Sequence, residues 1–78
     1  MDAERVRQVK FRQTLRGYQV NEVDGFLERL ATEIEAGRSV GGLCRQVHFR
    51  QALRGYRVDD VDHFLAEVAG GEGSIPHI

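Results

Sequence analysis

The 78-residue chain carries 11 Lys and Arg against 12 Asp and Glu, a net charge of −1, with 41% hydrophobic and 29% charged residues. That length fits one small domain or two very small units and leaves little room for a cofactor-sized catalytic cleft. The single cysteine, Cys44, excludes an intramolecular disulfide and fits a reducing compartment, no apolar run reaches the length of a membrane span, and near-neutral charge argues against a generic nucleic-acid binder.

The N-terminal stretch MDAERVRQVK lacks the apolar core of a secretory signal, so the chain is expected to be soluble and cytoplasmic. A first helix is predicted over residues 3–10, with Val6 and Val9 as its apolar marks. The turn Leu15-Arg16-Gly17-Tyr18 follows, and Gly17 is expected to adopt a positive φ there. A longer helix is predicted from Asn21, a good N-cap residue. Asp24 stands three positions on, as in a capping box. Val23, Phe26, Leu27, Leu30 and Ile34 fall at i, i+3, i+4, i+7 and i+11, one helical face. Gly37 and Gly70 are expected helix stops, and residues 37–42 read as a flexible linker.

The second half repeats the first. With a shift of 38 positions, residues 7–31 lie over 45–69, and 16 of those 25 positions are identical. All six aromatics coincide: Phe11 with Phe49, Tyr18 with Tyr56, Phe26 with Phe64. Such self-similarity marks a structural repeat. A short helix is predicted over 43–48, then the turn Leu53-Arg54-Gly55-Tyr56 with Gly55 at positive φ. A second long helix begins at Asp59, with Asp62 completing its capping box and Val61, Phe64, Leu65 and Val68 as its stripe. The tail, residues 70–78, reads as frayed. No alternating pattern of useful length suggests a strand. The expected fold is therefore all-α. Two short helix-turn-helix hairpins stand in tandem, repeat one at 1–36 and repeat two at 43–69, packed in coiled-coil fashion about a pseudo-two-fold.

Charge is segregated within each copy. Residues 5–18 hold five basic side chains and no acid, whereas 20–35 hold five acids and only Arg29. Copy two places Arg45, Arg50, Arg54 and Arg57 before Asp59, Asp60, Asp62 and Glu67. Two readings are open: helices pairing opposite charges, or a basic tip facing an anionic partner. Acids in a first helical turn also suit the helix dipole.

The block Phe11…Arg16-Gly17-Tyr18…Glu22-Val23-Asp24-Gly25-Phe26-Leu27 and its copy Phe49…Arg54-Gly55-Tyr56…Asp60-Val61-Asp62-His63-Phe64-Leu65 resemble the N-terminal domain of the DivIVA family of bacterial cell-division and polar-growth proteins. The resemblance covers about 50 of the 78 residues. It implies helical hairpins that dimerise through a parallel coiled coil, with the turns at the exposed end. It also implies membrane-binding roles for Leu15, Arg16, Leu53 and Arg54: the Leu enters lipid and the Arg meets phosphate. By likeness to the related GpsB adaptors, Tyr18, Asp24 and Glu28, with Tyr56 and Asp62 in copy two, would hold Arg-containing tails of cell-wall synthases. Ala66 stands where copy two would need its second acid. The chain departs from the family in having no long coiled coil: residues 21–36 make about 24 Å of helix. A six-residue linker reaching about 20 Å allows the two copies to pair within one chain; pairing between chains, a homo-oligomer, would satisfy the same stripes.

The expected role is a non-enzymatic scaffold or adaptor. It would sit at the inner face of the cell membrane, at septum or pole, with an anionic membrane surface and cell-division or cell-wall proteins as partners. Cys44 and His48, four apart, with His63 and His77 out of spacing, make a poor metal site. No phosphate loop, cysteine pair or nucleophile–His–acid set is present, so neither enzyme activity nor a cofactor is expected. A helix-turn-helix DNA binder is the less favoured alternative. Its recognition helix would present Glu22, Asp24 and Glu28 to phosphates, the wrong sign of charge.

Overall fold

In the computed structural model, residues 2–71 are described. The order is α1 (Ala3–Gln8), β1 (Gln13–Tyr18), α2 (Val20–Glu35), α3 (Gly41–Gln46), β2 (Gln51–Tyr56), α4 (Val58–Gly71). The fold is thus mixed, two helix-strand-helix units sharing a two-stranded sheet, and the expectation of all-α hairpins packed in coiled-coil fashion is overturned: the strand pair, not a helix seam, makes the main backbone contact between the copies. Each turn segment is a strand because the other copy supplies its hydrogen-bond partners. Pattern within the segment cannot show this. A two-stranded ribbon leaves both faces largely open, so burial along β1 and β2 does not alternate and only the glycines are buried.

The pairing is antiparallel. Gln13 lies opposite Tyr56, Thr14 opposite Gly55, Leu15 opposite Arg54, Gly17 opposite Ala52 and Tyr18 opposite Gln51. Two flanking bonds extend it: the Gln19 amide donates to Arg50 O at 2.9 Å, and the Arg57 amide to Arg12 O at 2.8 Å. One further pair, Tyr18 with Tyr56, has the parallel sense and breaks the register; there the two segments cross. A Cβ on Gly17 would lie 2.3 Å from Tyr56 O, and one on Gly55 would lie 2.1 Å from Tyr18 O. The glycines are needed for this approach of backbones. Neither takes the expected positive φ; in the turn that conformation falls on Arg16, at 63°.

The expected capping boxes are absent. Asn21 and Asp59 lie inside helices that begin one residue earlier, and Gln19 caps α2 without a side-chain bond. Asp24 and Asp62 are instead committed to the opposite repeat. Asp2 does cap α1, accepting from the Arg5 amide at 2.9 Å. Helix α2 ends as its sequence predicts. Gly37 stands at φ 78°, and the Arg38 amide donates to Glu33 O, a six-residue closing bond of the Schellman type. The linker is shorter than the expected 37–42, because Gly41 and Gly42 open α3 and Val40 before them is buried. Helix α4 continues through Gly70 to Gly71, past the expected stop and into the expected tail; residues 72–78 lie outside the described residues.

Helix α1 packs on α2 within repeat one, and α3 on α4 within repeat two. The core then joins the copies: Val6, Val23 and Leu30 from the first and Val61, Leu65 and Val68 from the second are all at most 6% exposed. Among the described residues no charged or polar residue is buried. Four ring contacts, each between repeats, tie the strand ends to the long helices. Phe11 meets Tyr56 at 5.3 Å and Phe64 at 5.7 Å; Phe49 meets Tyr18 at 5.2 Å and Phe26 at 5.6 Å. These edge and tilted arrangements are favourable for aromatic quadrupoles. Under the 38-residue shift each contact maps onto another, so the ring contacts are symmetric between the two copies.

Candidate functional site

The strand pair carries the large hydrophobic side chains left in the open among the described residues. Leu15 is 71% exposed and Leu53 82%. Local structure explains why. The glycine crossing holds the backbones in contact, so the residues preceding it cannot turn inward. Positive φ at Arg16 turns the chain there, and the Thr14 hydroxyl donates to Leu15 O at 3.2 Å. Arg16 and Arg54 are both exposed, and Leu15 lies directly opposite Arg54 across the strands. Within Gln13–Tyr18 and Gln51–Tyr56 there are two arginines and no acid. The result is one small tip with two bare leucines and two cations, all on a single rigid crossing.

Charge around the tip is ordered by symmetric clamps. Arg12 binds Asp60 with Nη2 at 2.7 Å and Nε at 3.0 Å, and its amide also donates to that carboxylate at 3.2 Å. Across the pseudo-axis the Arg50 amide donates to Glu22 at 2.8 Å, with the guanidinium 3.5 Å from the same carboxylate. The side-chain bond from Arg12 is the main reason the Asp60 carboxyl is held down to about 2.

The expected partner-binding residues are brought together in a different combination. The Tyr18 hydroxyl donates to Asp62 at 2.8 Å, and that of Tyr56 to Asp24 at 2.8 Å. Each bond links the two repeats. Burial first, then the adjacent Asp62 carboxylate, pushes the Tyr18 phenol up to about 12; burial and Asp24 act in the same direction on Tyr56. Glu28 lies apart from these pairs and accepts from Arg7 Nε at 3.1 Å, while Arg7 Nη1 reaches Glu35 at 2.6 Å. Those two carboxylates raise the guanidinium's proton affinity, and Arg7 lowers that of Glu35. The Arg12–Asp60 and Arg50–Glu22 clamps were not singled out from sequence. Their signal was the charge segregation, since the basic part of one copy meets the acidic helix of the other.

Among the described residues no cluster of three or more His, Cys, Asp and Glu could hold a metal, and no helix is long and apolar enough to cross a membrane. Comparison with protein-family models, curated proteins and solved structures gives no match.

Proposed function

We propose that this chain is a DivIVA-like, non-enzymatic module that docks on anionic membrane through its Leu-Arg tip and positions protein partners of bacterial cell division or polar growth there. The observation that carries this reading is the exposure of Leu15 and Leu53 on one strand pair, each beside an exposed arginine. Transfer of one leucine from water contributes roughly 1.5–3 kcal/mol, and an arginine at an anionic surface about 1 kcal/mol. A single Leu-Arg turn would bind weakly. Two turns fixed on one body engage together, the second at high effective concentration. The module would lie peripherally on the inner membrane face, at septum or pole.

Sedimentation with phosphatidylglycerol-containing vesicles tests this. The parent protein should pellet with anionic vesicles and not with neutral ones. Leu15→Ser combined with Leu53→Ser should remain in the supernatant with unchanged circular dichroism. Equal pelleting of the double variant rejects the membrane role. The alternative of an adaptor for Arg-rich tails has less support, because Tyr18, Tyr56, Asp24, Asp62 and Glu28 already have partners within the chain. An affinity for an Arg-rich peptide that falls with salt, without vesicle binding, would favour it. DNA binding has least support, since the helix after each strand carries acids in its first turn.

A further inference from the structure

We infer that repeat two carries a docking site for an acidic helix of a partner protein, in the cleft between α3 and α4, with Arg45 as its anchor. The two copies differ at this place, and repeat one shows what the site takes. Arg7 of α1 is held by two carboxylates of α2. Its Nε donates to Glu28 at 3.1 Å, and its Nη1 and Nη2 donate to Glu35 at 2.6 and 3.2 Å. Glu28 and Glu35 stand two helical turns apart, so both lie on one face and converge on one guanidinium. Under the 38-residue shift Arg7 becomes Arg45, whereas Glu28 becomes Ala66 and Glu35 becomes Gly73. Repeat two has thus kept the cation and dropped both of its acids. Arg45 is exposed and forms no ion pair among the described residues.

A cleft of about 270 Å³ opens beside Arg45. That is below the roughly 300–1,000 Å³ of small-molecule pockets and suits one inserted side chain. Its wall is apolar along Val47, Leu65, Ala66 and Ala69. Two further polar groups line it, Tyr18 and Asp62, and they are bonded to each other at 2.8 Å. Asp62 repels a carboxylate at its end of the cleft, so Arg45 is the end that receives one. An amphipathic helix that lays an apolar side chain into the cleft brings glutamates on either side of it to Arg45, as Glu28 and Glu35 reach Arg7. Like charge at Arg45 works against a segment anchored by arginine. The site makes no use of Leu15 or Leu53 and is independent of the membrane reading.

The probe is a soluble alanine-based helical peptide with one leucine between two glutamates spaced as Glu28 and Glu35 are; its control carries glutamine at both places. Titrated into the isotope-labelled full chain, the glutamate peptide should shift the amide resonances of Arg45, Val47, Ala66 and Ala69 saturably below about 1 mM, and less as salt is raised. Arg45→Gln should weaken binding about 10-fold or more. Ala66→Glu gives repeat two the acid that repeat one has, and should weaken binding as much by occupying Arg45 from within. In the opposite sense, Glu28→Ala with Glu35→Gly should add a second set of shifts around Arg7. Circular dichroism shows which variants are folded. Equal binding of the glutamine peptide, an Arg-rich peptide that shifts the same amides, or undiminished binding by folded Ala66→Glu overturns the inference. So does the absence of the second set of shifts in the folded double variant.

Discussion

Gly17 and Gly55 are buried where the two strands cross, and each packs its backbone directly on the other's neighbour. The atoms in the way of a new methyl group are backbone, which cannot swing aside. Gly17→Ala and Gly55→Ala should each cost about 3 kcal/mol or more, the upper range for overpacking. Gly25, exposed in the interior of α2 with nothing within 4 Å of its added Cβ, is the control. Gly25→Ala should stabilise by about 0.5–1 kcal/mol through the entropy of the unfolded chain. Urea midpoints for the three variants check this ordering.

The tyrosine–aspartate bonds give a prediction at the alkaline end. A phenol whose folded pKa is raised lends stability that is fully present below its ordinary value near 10 and is lost as pH rises through the folded value, about 12 for Tyr18. Tyr56 contributes with the same sign. Tyrosinate absorbance in the folded protein should therefore develop late and coincide with unfolding. Normal titration of both tyrosines in a folded chain would contradict the two bonds. Tyr18→Phe and Tyr56→Phe should each cost about 1 kcal/mol.

At the acid end the relevant group is Asp60. Its folded pKa of about 2 lies below the ordinary 3.8. Its contribution is full above pH 3.8 and disappears as pH falls through about 2. Glu33 and Glu35, lowered by Arg38 and Arg7, act in the same direction. The slope of urea midpoint against pH in this range should be shallower in Asp60→Asn than in the parent chain. An identical slope would mean that the Arg12 clamp does not persist in solution.

For the tip, the expected losses multiply. One Leu→Ser change removes roughly 1.5–3 kcal/mol of transfer free energy, about 10- to 100-fold in vesicle partitioning. The double change should give about the product of the two single effects. Arg16→Gln removes about 1 kcal/mol, about 5-fold, on anionic vesicles only. A single leucine carrying the whole effect would show that the two turns do not engage together.

How much of this was legible in the sequence differs by kind of interaction. Local periodicity placed the long helices and the seam of Val23, Leu27, Leu30, Val61, Leu65 and Val68, because that signal lies within one segment. The repeat showed which residues of the two copies correspond. The strands were invisible, since their partners are supplied by the other copy and their two open faces produce no alternation. In sequence Gly17 and Gly55 look like turn glycines; a sequence marks that a Cβ is excluded, but not whether the cause is φ or a neighbouring backbone. Asp24 and Asp62 fit a capping box by spacing, and the phenol of the opposite repeat took them instead. Leu15 and Leu53 are singled out in sequence only by the family resemblance, and the structure leaves both exposed.

The tyrosine–aspartate bonds join residues 44 and 32 positions apart, and the strand pairing spans similar separations. Such long loops must close before the crossing can reward them, which slows folding relative to a helical bundle of this size. On the ribosome the first half has no mate until Tyr56 and α4 have emerged. Until then the seam of α2 lacks the residues Val61, Leu65 and Val68 that complete the core.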